Sequence, residues 1–191
     1  MQAIYDFLYS PGLPLKPVGL VIGLWLVASH VFALVKPEVV KPHLKSFPRN
    51  EKIGIPLVIF CFAWGFVIWS CMDLGEFYKI ERVVQVVIAG VCIGVIALVR
   101  EFLAVRALGF FLILVAAPLL DAAFLEEPKT RLLLVALAYA GALKGMFWIG
   151  MPYLLRDQIN WLLKEDVRLK VGALAGAVYG MLLVICALLF W

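Results

Sequence analysis

Apolar residues run through this chain in long unbroken blocks, without the period-two alternation of a half-buried strand. Six blocks stand out: Val18 to Val35, Gly54 to Met72, Val83 to Val99, Ala107 to Leu125, Leu132 to Leu155 and Val171 to Trp191. Each is long enough to cross a hydrocarbon core, which takes about 20 helical residues. A helix is also the only open-ended element that satisfies its own backbone in lipid. Charge and proline mark the breaks at Lys36-Pro37, Asp73 to Arg82, Arg100 to Arg106, Glu126-Glu127-Pro128 and Arg156 to Lys170. The pattern predicts an all-α integral membrane protein. Residues 18–191 form one bundle of about six transmembrane helices, preceded by an interfacial segment over residues 1–17.

Three stretches outside the spans have their own patterns. In Gln158 to Lys170, Ile159, Leu162 and Leu163 share a face with Trp161 beside them, while Lys164, Glu165, Asp166, Arg168 and Lys170 are polar. This predicts a short amphipathic helix lying on the headgroups between the last two spans. Met1 to Tyr9 carries Tyr5, Phe7, Leu8 and Tyr9, aromatic and apolar groups suited to an interface. Lys36 to Lys52 holds Pro37, Pro42, Pro48 and five basic residues, and is expected to run extended over an anionic leaflet.

Composition agrees with the block pattern. Of the 191 residues 65% are hydrophobic, against about 45–50% in soluble domains. Only 16% are charged, and the mean hydropathy is +1.04. The net charge of +4 sits in short loops, so it encodes topology and not a nucleic-acid surface. Alternate connections hold eleven Lys and Arg on one side against five on the other, which places the first, third and fifth connections in the cytoplasm and both termini outside. The expected location is a bacterial inner membrane. The first seventeen residues carry Asp6 and a single basic residue, Lys16, short of the positive region of a secretory signal, so no cleavage is expected.

Lys144 is the most informative polar residue. It lies about 18 Å by helical rise from the start of the predicted Leu132 to Leu155 span and nearly as far from its end. An ammonium at such depth costs at least about 2.5 kcal/mol. On its face stand Ala140, Gly141, Phe147 and Trp148, and Trp148 offers a cation–π contact. Asp121, Asp73 and Gln85 belong to the outer third, with Asp121 expected level with residue 136. His30 lies about 9 Å inside the cytoplasmic boundary. Together His30, Lys144 and Asp121 could mark steps of a polar path, against the plainer reading of separate helix-linking hydrogen bonds.

Glycine spacing is the second signal. Gly172, Gly176 and Gly180 repeat every fourth residue, with shorter versions at Gly19 and Gly23, Gly90 and Gly94, and Gly141 and Gly145. Such zipper-like spacing lets a second backbone approach closely.

Enzyme motifs are lacking. Glu126-Glu127 to Arg131 matches the EExxxR string of intramembrane CAAX-type proteases, but no later histidine supplies their other ligands. The four cysteines form no CxxC, and no metal site is expected. No cofactor is expected either, a bound lipid or a pigment near His30 being the one candidate. These features predict a non-catalytic accessory or scaffold subunit of a larger membrane complex. Its partners would be the lipid bilayer and other membrane subunits or further copies of the chain. The alternative is a small transporter or proton-linked channel using the polar path.

Overall fold

The structure is a computed structural model that describes every residue except Met1, Ser10, Pro11 and Asp73, and every side chain except those and Ile4, Glu76, Phe77 and Tyr78. Among the described residues it is all helical, with nine α-helices, three 3-10 helices and no strand. The α-helices are α1 (Gln2–Tyr9), α2 (Leu15–Val35), α3 (Pro37–Ser46), α4 (Glu51–Cys71), α5 (Glu81–Leu98), α6 (Leu103–Ala122), α7 (Leu132–Gly150), α8 (Tyr153–Leu163) and α9 (Asp166–Leu189). Six of them, α2, α4, α5, α6, α7 and α9, are long and apolar enough to cross a membrane.

Local chemistry sets several boundaries. The Asn50 side chain accepts from the Ile53 N–H at 3.3 Å, and Glu51 in the first turn of α4 complements the helix dipole. Glu165, in an extended conformation, precedes α9, whose first turn opens on Asp166. That break divides the stretch expected to form one amphipathic helix. Its first part belongs to α8, which begins earlier at Tyr153, and Asp166 to Lys170 are the first turn of α9. The fifth long helix likewise ends at Gly150 and not at Leu155, because the chain turns at Met151-Pro152 before α8 starts. The segment 36–52 is not extended. Pro37 occupies the first turn of α3, where the missing N–H would have no helical partner, and α3 tolerates Pro42 before a 3-10 turn at Phe47–Arg49.

The helices pack around α6, whose Leu103, Ala104, Val105, Ala107 and Ala116 are buried. α6 lies against α7 on one side and α4 on the other, while α2 runs along α9. The two pairs meet through Leu15, Val18, Leu119, Leu134, Ala138 and Leu183. α5 is peripheral: it packs chiefly on α4, and none of its residues is buried.

The connections at 36–50, 99–102 and 151–165 gather at one end, where Lys41 reaches Asp166 at 2.6 Å and Arg49 and Arg156 both approach Phe102. Asp166 holds the Lys41 ammonium above the usual lysine pKa, chiefly by accepting its hydrogen bond. Among the described residues this basic end and its turns carry eleven Lys and Arg against six Asp and Glu, and the opposite end carries five against six. At the opposite end Trp191 Nε1 donates to Thr130 Oγ1 at 2.7 Å, Tyr179 Oη to the Leu133 carbonyl at 2.6 Å, and Trp64 Nε1 to Tyr9 Oη at 3.1 Å.

Glycine governs how closely the pairs approach. A methyl group at Gly180 would meet the Gly23 carbonyl at 2.8 Å and the Val27 amide at 2.9 Å, and one at Gly23 would meet the Gly180 carbonyl at 2.9 Å. Gly109 and Gly145 abut in the same way between α6 and α7, and Gly141 meets Leu112 at ordinary contact distance. Gly172 faces Leu162. Gly90 and Gly94 depart from expectation: nothing stands within 4 Å of a methyl group at either, because α5 sits at the edge of the bundle.

Gly180→Leu should therefore cost about 1–3 kcal/mol, since backbone cannot give way as a side chain can. Gly90→Leu should cost little. Thermal unfolding of both variants in one detergent checks the contrast, and equal losses would contradict it.

Candidate functional site

α7 turns Leu134, Ala138, Gly141 and Gly145 toward α6. Lys144 precedes Gly145 by one residue, hence by about 100° around the helix, and so points outward with the exposed Leu143 and Phe147. Among the described residues it has no ion pair, hydrogen bond or ring contact. The expected stacking on Trp148 does not form. That ring packs inward with Val105, Leu155 and Ile159, and its Nε1 is buried without a partner.

Because α7 ends at Gly150, Lys144 is about 9 Å from the basic end of its helix and not about 16 to 18 Å from both ends. The Gly109–Gly145 register sets Asp121 level with Leu133, about 16 Å from Lys144 along the axis and farther than the sequence suggested.

Beside Lys144 runs a groove of about 400 Å³ between α7 and the α2–α9 pair, lined by Leu26, His30, Leu137, Ala140, Gly176 and Tyr179. Ala140 is one turn from Lys144 toward the opposite end, so the ammonium stands on the groove's continuation. His30 sits directly under Gly176, where a methyl group would collide with its ring. Its Nδ1–H donates to the Leu26 carbonyl at 2.8 Å, an assignment that follows because a carbonyl only accepts. The ring is thereby fixed with Nε2 against α9. In this setting His30 shapes the helix contact.

The other expected polar residues lie apart. Asp121 is exposed at the opposite end, its carboxylate beneath Gly12. Gln85 donates to Ser70 Oγ at 3.1 Å and Glu81 Oε1 at 3.0 Å, tying α5 to α4. Asp73 lies outside the described residues. His30, Lys144 and Asp121 are thus not brought into one path. At the basic end, Arg168 stacks 4.9 Å from the Trp161 ring and pairs with Glu165 at 2.7 Å, while Lys164 and Lys170 are exposed.

A second cluster escapes sequence reading. Phe102 precedes α6 with φ +57°, a left-handed conformation costly for an aromatic residue. The guanidinium carbons of Arg49 and Arg156 lie 5.9 and 6.0 Å from its ring centroid. Arg106, one turn into α6, has its Nε buried without a hydrogen-bond partner. The sequence signal was the pair Arg100 and Arg106 interrupting an apolar run, which reads equally well as topology charge.

Among the described residues no group of three or more His, Cys, Asp or Glu could hold a metal ion. Comparisons with protein-family models, curated proteins and solved structures return no match.

The seat of His30 yields a test. Gly176→Ala should cost about 1–2 kcal/mol, and His30→Ala in the same chain should recover most of it, because the imidazole is what the methyl meets. Additive losses in thermal unfolding would contradict this.

Proposed function

We propose that the chain is a non-catalytic subunit of a larger membrane complex, and that Lys144 and the adjoining groove receive a transmembrane helix of a different polypeptide bearing a carboxylate at that depth. The observation that carries this reading is the outward, unpartnered ammonium on an apolar helix face beside a groove floored by Ala140 and Gly176. Small residues let a helix approach, and an intramembrane cation favours a counter-charge. Among the described residues a second copy offers no carboxylate at that depth. The six long helices carry their acids at the ends, at Glu51, Glu81, Asp121 and Asp166, none level with Lys144.

The charge asymmetry supports insertion with the basic end in the cytoplasm and both termini outside, as in a bacterial inner membrane. α8 then lies along the cytoplasmic interface, burying Leu155 and Ile159 and exposing Trp161.

Two outcomes follow. Reporter fusions at Pro42 and Asn160 should read cytoplasmic and one after Trp191 external; a cytoplasmic reading at Trp191 would overturn the orientation. Lys144→Met should leave the chain folded while reducing the partner retained on purification in mild detergent, and Lys144→Arg should restore it poorly, since the planar fork needs more room. Undiminished partner stoichiometry in the Met variant would overturn the docking assignment.

A further inference from the structure

α5 stands off from α6, leaving an apolar cleft of about 210 Å³ between α4, α5 and α6, walled by Val58, Phe62, Val95 and Phe110. Phe62 and Phe110 also wall a second apolar cleft farther toward the opposite end, so the two lie in line along α6 from Arg106 to Leu114. That distance is about 12 Å by helical rise, close to the half-thickness of a hydrocarbon core of about 30 Å. The cleft is a single-leaflet slot with its mouth at the basic end.

Among the described residues one charged side chain lines that slot: Arg106, whose Nε is buried and has no hydrogen-bond partner there. A guanidinium without a protein counter-ion beside an apolar channel is suited to a phosphate, which it grips through charge-assisted hydrogen bonds. Next to it, across the α5–α6 turn, a recess of about 410 Å³ is lined by Arg49, Glu51, Arg100, Glu101 and Phe102. Neither carboxylate there forms an ion pair among the described residues, so the recess offers acceptors as well as cations.

We infer that this cleft and recess form a site for a zwitterionic phospholipid with a primary ammonium. Its acyl chain lies between Phe62 and Phe110, its phosphate on Arg106, and its ammonium beside Glu51 and Glu101. A purely anionic headgroup leaves both carboxylates unanswered and meets their repulsion. A trimethylated ammonium has no N–H to give them. The site rests on the membrane reading above but not on the Lys144 partner.

Native mass spectrometry of the delipidated full chain in dodecylmaltoside tests it, with phosphatidylethanolamine, phosphatidylcholine, phosphatidylglycerol and inorganic phosphate as probes. One phosphatidylethanolamine should bind saturably, about tenfold more tightly than phosphatidylcholine. Arg106→Gln should weaken it about tenfold, the scale of a lost charged hydrogen bond. Glu101→Gln, at an exposed position, should bring phosphatidylethanolamine down toward phosphatidylcholine without changing the latter. Equal binding of all three lipids, an unchanged Arg106→Gln affinity, or a preference for phosphatidylglycerol would overturn the assignment. Inorganic phosphate competing fully with the lipid would instead make this a free-anion site and would equally overturn it. Carbonate-resistant retention in membranes separately tests insertion, so the two readings fail distinguishably.

Discussion

Close backbone approach is the constraint on which this structure depends. Where helices are surrounded by lipid, as we propose for these, the hydrophobic effect adds little, and association rests on van der Waals contact and interhelical hydrogen bonds. Such contact is tightest where a side chain is missing. Gly23 against Gly180 joins α2 to α9, and Gly109 against Gly145 joins α6 to α7. The first pair clasps two helices from opposite ends of the sequence, and the second forms the spine to which α4 is added. α5 has no such contact, because Gly90 and Gly94 look into open space. Its loose seating opens the cleft that ends at Arg106.

Charge is arranged around that scaffold. The connections that converge at the basic end carry a surplus of cations, while the opposite end is slightly acidic. Most of these charges are exposed, so pairs such as Lys41 with Asp166 contribute little to stability. Two cations are different in kind. Lys144 faces outward from an apolar helix, and Arg106 points into an apolar slot, each without a partner among the described residues. On the proposals made above, each is completed from outside the chain: Lys144 by the carboxylate of a partner helix, Arg106 by a lipid phosphate.

The six long helices and the glycine repeats were legible because block length and four-residue spacing are local properties of the sequence. What each glycine meets was not, since spacing names no partner: the same motif packs backbone at Gly180 and nothing at Gly94. The depth of Lys144 was misjudged because apolar Tyr153, Leu154 and Leu155 continue the block past the true helix end at Gly150. α3 was missed because proline breaks a helix interior but suits its first turn. The arginine cluster draws on positions 49, 100, 106 and 156, from a 3-10 turn, the α5–α6 connection and the helices α6 and α8, brought together only by the fold.

A photo-reactive residue placed at Leu143 or Phe147, on either side of Lys144 on the exposed face of α7, reports what covers that face. Irradiation of intact membranes should yield a cross-link to a transmembrane segment of a different polypeptide that carries Asp or Glu at the same depth. Cross-links only to lipid, or only to a second copy of this chain, would contradict the docking of a partner helix at Lys144.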